Sequence, residues 1–369
     1  MKSKRTRSRI AAASMRAACS LVAAAQPTLP DALQGVTRIA FFGDSLTDGS
    51  DYPEYVVNTL NKTYPGHDFC FVNAGVCGSK AYDLVDRLDR DVLSRKPDLT
   101  FILIGTNDSG TNPLIQFRAE LAYLCRRLKA AGSRVGLISL TGSTNPEMVK
   151  KFTPYNDAIR ATAREEGALF VDAWSLFDEW QKSGKEMYYS PGDAHHSALG
   201  FQGTARAILN ALGVPPDVEL VLDIAPPPNL LAKWEESGPV TGTASNPPEP
   251  AMVREWTPYE PEKWIESKDW SWKPLVRRGA WFALQGAAKG RTAFARATYD
   301  APRDGLYELQ LGGGVPLAVW VNGVKVYTLP KTNGYHPDAV RTPVLLRKGP
   351  NEIAITTGFY AFVGVRPLD

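Results

Sequence analysis

This 369-residue chain has only four cysteines and four histidines, and that scarcity excludes several chemistries. Cys19, Cys70, Cys77 and Cys125 are too few for a disulfide framework. Past the N-terminal stretch, Cys70, Cys77 and Cys125 read as buried free thiols. No Cys/His spacing suits zinc, no glycine-rich loop suits a phosphate, and no apolar run is long enough to cross a membrane. Charge of one sign is also lacking. The formal net charge is +3, but Lys2, Lys4, Arg5, Arg7, Arg9 and Arg16 all precede the first acid, Asp31. Without those six, 36 basic residues face 39 acidic ones, so the body is no basic nucleic-acid binder.

Those six residues belong to a recognisable leader. A basic stretch is followed by Ile10-Ala11-Ala12-Ala13 and then by Leu21-Val22-Ala23-Ala24-Ala25, with small residues before Gln26. Residues 1–25 therefore read as an export signal, which predicts a secreted or periplasmic protein. Cys19 has Arg16 three positions upstream instead of an apolar residue, which speaks against a lipid anchor.

A hydrophobic fraction of 44% supplies a core, and the length suits two domains. Residues 36–213 alternate strand and helix. Strands are expected at Arg38–Gly43, Asp68–Asn73, Leu99–Ile104, Val135–Leu140 and Ala168–Val171. Between and after them, helices are expected at Asp51–Lys62, around Leu84–Leu93, at Leu114–Ala131, at Met148–Glu166, through Trp180 and at Ala198–Leu212. Five strand–helix units in series predict a three-layer α/β/α, flavodoxin-like fold with a five-stranded parallel sheet. Residues 214–273 form a connecting segment rich in proline and tryptophan; six of the nine tryptophans fall between Trp234 and Trp281, so part of it must pack. Residues 274–369 carry short strands with Gly-rich turns, including Asn322-Gly323 between two apolar runs, and predict an all-β jelly roll or β-sandwich.

The first strand, with Phe41 and Phe42, ends at Gly43, where a sharp turn is expected, and Ser45 follows. Ligands of an open α/β sheet bind at that end of the strands, so Ser45 is a candidate nucleophile. Three further pieces converge there: Asn73 through Gly78, Gly105-Thr106-Asn107-Asp108, and Asp193-Ala194-His195-His196. His336 lies in the C-terminal part and His67 at the wrong end of the sheet, which leaves His195 and His196 as bases. Asp193 precedes His196 by three, so one helical turn would bring its carboxylate to that imidazole. The Asn107 amide and the Gly78 N–H, with the Ser45 N–H, would make an oxyanion hole. Asp44 and Asp108 read as anchors of their own turns.

These four blocks, in this order, resemble the SGNH/GDSL hydrolases over residues 36–213. The resemblance implies Ser45 as nucleophile, Gly78 and Asn107 as oxyanion donors, Asp193 as the orienting acid and His196 as base, because the family aligns its base three after its acid. It implies hydrolysis of esters and thioesters through an acyl-serine, with no cofactor and no metal. A departure is Ser79-Lys80, where Asp-Thr or Thr-Thr is common. The C-terminal runs Leu317–Tyr327 and Leu346–Ile353 resemble galactose-binding-like domains of secreted carbohydrate-active enzymes. Together these features favour a carbohydrate O-acetylesterase acting on an acylated carbohydrate or other small ester. The alternatives are an esterase, lipase-like enzyme or thioesterase for longer acyl chains, and a catalytically idle glycan-binding protein.

Overall fold

The computed structural model describes residues 28–242, 246–261, 276–282, 291–313, 317–329, 337–358 and 360–368. The expected export signal, His336 and Trp264, Trp270 and Trp272 lie outside the described residues.

Five parallel strands form the first sheet: β1 (Arg38–Gly43), β2 (Cys70–Gly75), β3 (Leu99–Leu103), β4 (Arg134–Ile138) and β5 (Leu169–Val171). Their spatial order is β2-β1-β3-β4-β5. The helices are α1 (Ser45–Asp48), α2 (Tyr52–Thr63), α3 (Ala81–Asp91), α4 (Leu114–Ala130), α5 (Pro146–Glu166), α6 (Ala173–Lys182) and α7 (Ala198–Ala211). The sequence pattern anticipates all but α1, a single turn directly after β1. Strand residues alternate between two cores. Ile39, Phe41 and Phe101 pack with α2 and α7, whereas Ala40, Phe42 and Ile102 pack with α3, α4 and α5. This alternation is why β1 after Arg38, and β3 apart from Thr100, carry apolar residues on both faces: both are covered.

Gly43 differs from expectation. Its backbone is not in the left-handed region; an added Cβ would lie 2.4 Å from both Leu103 O and Thr47 Oγ1. Space, not turn geometry, excludes a side chain there.

The chain then forms two antiparallel sheets. The short strands β6 (Glu235–Glu236), β7 (Val240–Thr241) and β8 (Thr257–Pro258) are followed by β9 (Trp281–Phe282), β10 (Arg291–Ala301), β11 (Gly305–Gly313), β12 (Leu317–Val321) and β13 (Val324–Leu329). The last are β14 (Val340–Leu346), β15 (Gly349–Thr357) and β16 (Tyr360–Pro367). One sheet runs β13-β12-β15-β10-β6-β8, with β7 also on β10, and the other β14-β11-β16-β9. Leu309 and Val363 of one share a core with Val319 and Ile355 of the other. The β12–β13 hairpin turns through Asn322 and Gly323, both with positive φ, as the Asn-Gly pair predicts.

The two halves meet beside α1 and α2. Arg278, almost wholly buried, donates to Ser50 O at 2.8 Å, Asp51 Oδ1 at 3.2 Å and Glu54 Oε1. Arg95 reaches Asp338 at 2.7 Å. The connecting segment runs along α2, where Asn58 Nδ2 donates to Asp223 O at 2.7 Å. Further on, Trp234 is buried and donates from Nε1 to Leu231 O at 2.8 Å.

Candidate active site

The C-terminal ends of β1, β2 and β3 lead to Ser45, Gly78 and Asn107, and the segment between α6 and α7 carries Asp193, His195 and His196. Ser45 opens α1, and Asp44 caps it by accepting from Leu46 N at 2.9 Å. Ser45 Oγ lies 3.0 Å from His195 Nε2. On the other side of that ring, His195 Nδ1 lies 2.8 Å from Asp193 Oδ1. Asp193 Oδ1 also accepts from the N–H groups of Ala194 at 2.7 Å and His195 at 3.0 Å. Partial burial pushes the Asp193 carboxyl up, but the His195 N–H and imidazole outweigh it and hold the group below its ordinary range.

The expectation that His196 faces the serine is corrected here. His196 is buried, with Nε2 2.8 Å from Thr141 Oγ1, and its ring packs against Phe177 at 5.0 Å and Phe201 at 6.0 Å. Burial drives its pKa down to about 3, with the neighbouring His195 adding to the effect. The physical reason is backbone shape. Residues 193–197 are not helical; His196 makes a β-bridge with Tyr188, and α7 starts only at Ala198. In extended chain, neighbours i and i+2 share a side while i+1 points away. Asp193 therefore meets His195, and His196 turns into the core.

The loops after β2 and β3 carry Gly78 and Asn107, and the Asn107 amide reaches the neighbours of both Gly78 and Ser45, Ser79 and Asp44. Gly78 has φ +77 and nothing within 4 Å of an added Cβ, so its backbone is open to approach. Among the described residues, no acceptor meets the N–H of Ser45 or Gly78. Asn107 Nδ2 donates to Ser79 O at 3.0 Å and, more weakly, to Asp44 Oδ2 at 3.3 Å. Asp44 is wholly buried, and burial raises its pKa to about 7 against the lowering effect of the Leu46 N–H. Asp108 accepts from Ala81 N at 3.0 Å and Asn112 Nδ2 at 2.8 Å, so it ties the loop to α3 as well as to its own turn.

Two further features were not legible as a site. Arg87 lies in the buried stripe of α3, between Leu84 and Leu88, and donates to Ala74 O at 2.6 Å and Gly43 O at 2.7 Å. It ties the ends of β1 and β2 together where Ser45 and Gly78 emerge. Its signal was an arginine and an acid, Arg87 and Asp91, at helical spacing inside an apolar stripe; they pair at 3.1 Å. Cys77, expected to be packed, is exposed, and so is Cys70 at the other end of the sheet, where β2 starts; of the three, Cys125 is buried, and all three are free.

Among the described residues, no group of three or more His, Cys, Asp or Glu is arranged to hold a metal, and no helix is long and apolar enough to cross a membrane.

Part of the chain is similar to known proteins. Residues 41–202 match the GDSL-like lipase/acylhydrolase family. An acetylxylan esterase of Geobacillus stearothermophilus is 29% identical over 205 residues, covering 48% of this chain and 94% of that protein. An uncharacterised lipoprotein of Bacillus subtilis is 29% identical over 181 residues, 40% of this chain and 74% of its own length. The solved structure of the acetylxylan esterase Axe2 from the same Geobacillus species has 27% identity and covers 49% of this chain and 95% of that one, with a TM-score of 0.44. Residues 41–202 of this chain are a GDSL-like lipase/acylhydrolase domain.

Proposed function

We propose that this protein is a serine esterase that removes acetyl groups from an acetylated carbohydrate through an acyl-serine. The observation that carries the chemistry is the line Ser45 Oγ, His195 Nε2, His195 Nδ1, Asp193 Oδ1, with gaps of 3.0 and 2.8 Å. In this reading His195 takes the Ser45 proton as Oγ attacks the ester carbonyl. Asp193 fixes the tautomer and stabilises the imidazolium. The oxyanion is met by the N–H groups of Ser45 and Gly78 and by Asn107 Nδ2, which exchanges its long contact to Asp44 for the stronger acceptor. The proton then passes from His195 to the departing sugar oxygen. Water, deprotonated by the same ring, attacks the acetyl-serine, and acetate leaves.

The carbohydrate assignment is supported by similarity to the acetylxylan esterase. Exposure supports it too: the His195 side chain is 50% exposed, so the site sits at a surface that a bulky glycan can reach. Export by the N-terminal leader and a galactose-binding-like nature for residues 274–369 belong to the same reading and rest on their sequence features.

The test is acetate release from a panel of acetylated polysaccharides, with a chain-length series of p-nitrophenyl esters and a Ser45→Ala control. Release from one glycan, lost in the control, supports the assignment. Preference for long acyl chains would overturn the acetyl reading, and activity surviving in Ser45→Ala would overturn the nucleophile.

A further inference from the structure

Gly78 can hold an oxyanion only if the loop after β2 is rigid, since a donor must sit within a few tenths of an ångström of the developing charge. That loop is anchored on α1. Asn73 Nδ2 donates to Thr47 O at 2.9 Å, and an added Cβ on Gly75 would lie 2.2 Å from Asp48 N, so the two backbones are in direct contact. The last anchor is the Asp48 side chain. Its Oδ2 accepts from Cys77 N at 3.0 Å, the amide directly before Gly78.

Asp48 is buried, and its other oxygen reaches out of the α/β half altogether. Tyr360, the first residue of β16, places its hydroxyl 3.3 Å from Asp48 Oδ1. The Tyr360 ring is itself buried, 5.5 Å from Phe282 and 5.9 Å from Phe362. Its position is therefore set by the β-rich half and not by the loop it serves. Donors from both sides, the Cys77 N–H at 3.0 Å and the longer Tyr360 contact at 3.3 Å, limit how far this carboxylate can swing, and the Cys77 N–H must follow it.

We propose that Tyr360 is a positioning residue for the oxyanion loop: through Asp48 it fixes the Cys77–Gly78 backbone, so the β-rich half tunes turnover at Ser45. The inference rests on the serine-esterase reading above. It assigns the C-terminal half a part in catalysis that does not require it to bind a glycan.

Tyr360→Phe tests it, because the change deletes the hydroxyl and leaves the ring in place. Turnover of p-nitrophenyl acetate is measured per site titrated with a covalent serine probe, which discounts any loss of folded protein. The expected result is a fall in kcat of about 10-fold with KM within twofold, less than the ~10²-fold cost of losing a donor outright. Asp48→Asn, read the same way, should lower kcat comparably, and the double variant should fall no further than the worse single one. A purely bracing Tyr360 would lower the melting temperature and leave kcat per titrated site unchanged, and that result in both single variants overturns the inference. Independent, multiplying losses in the double variant would also overturn it. If the wild-type protein neither labels nor turns over, the esterase reading has failed; if it does both while Tyr360→Phe and Asp48→Asn match it, only the present inference has.

Discussion

Asp193 and His195, two residues apart, leave the chain on the same side, so that Asp193 Oδ1 meets His195 Nδ1 at 2.8 Å. The residue after them, His196, points the opposite way and bonds Thr141 at 2.8 Å. Adjacent histidines thus have opposite expected phenotypes. His195→Ala should lower kcat by about 10⁴-fold or more with an unchanged melting temperature. His196→Ala should keep most of its turnover per folded molecule but lose about 3 kcal/mol of stability, because it empties a space among Phe177, Tyr188 and Phe201. Steady-state kinetics beside thermal unfolding of both variants checks this, and the reverse pattern would return the base to His196.

The oxyanion assignment makes its own claim. Asn107→Ala should cost about 10²- to 10³-fold in kcat with little change in KM, since the amide acts on charge that develops only in the transition state. Gly78→Ala should be milder for packing than for strain: the added methyl meets nothing within 4 Å, but φ +77 is costly for alanine by roughly 1–2 kcal/mol. Comparing kcat with melting temperature in both variants separates the two effects.

Two buried groups give stability opposite pH slopes. Asp44, at about 7 when folded against an ordinary 3.8, holds a proton that the unfolded chain releases, so stability falls as pH rises from about 4 to about 7. His196, at about 3 against 6.5, refuses a proton that the unfolded chain takes up, so stability falls as pH drops from 6.5 towards 3. Asp44→Asn removes the first penalty, on the order of 4 kcal/mol at full deprotonation. The melting temperature of Asp44→Asn relative to wild type should therefore rise between pH 4 and pH 8, and a constant difference would refute the shifted carboxyl.

The contact between the halves is open to a similar test. Asp51 and Glu54 are both raised by burial, and Arg278 is the cation that most opposes the effect, with Arg277 adding to it at Asp51. Arg278→Ala leaves two buried carboxylates without it and should cost about 3–5 kcal/mol. Calorimetry should show the loss. An unchanged unfolding profile would mean that Arg278 does not tie the halves together.

The sequence by itself determined the layered core and pointed to the strand ends where the candidate site lies. β1 after Arg38, and β3 apart from Thr100, are apolar on both faces because helices cover both, and that pattern is local and legible. Ser45, Gly78 and Asn107 stood out as candidates because each follows a strand whose end is shared with its neighbours. Only the tertiary structure decided between His195 and His196: the choice depends on whether residues 193–197 form a helical turn or an extended segment, and pairing with Tyr188 fixes the latter. It also exposed Cys77, placed Arg87 across two strand ends and set Tyr360 against Asp48, 312 residues away in the chain. Periodicity reports which face of an element is buried, but not which distant side chain will be waiting there, because that depends on how the two halves dock.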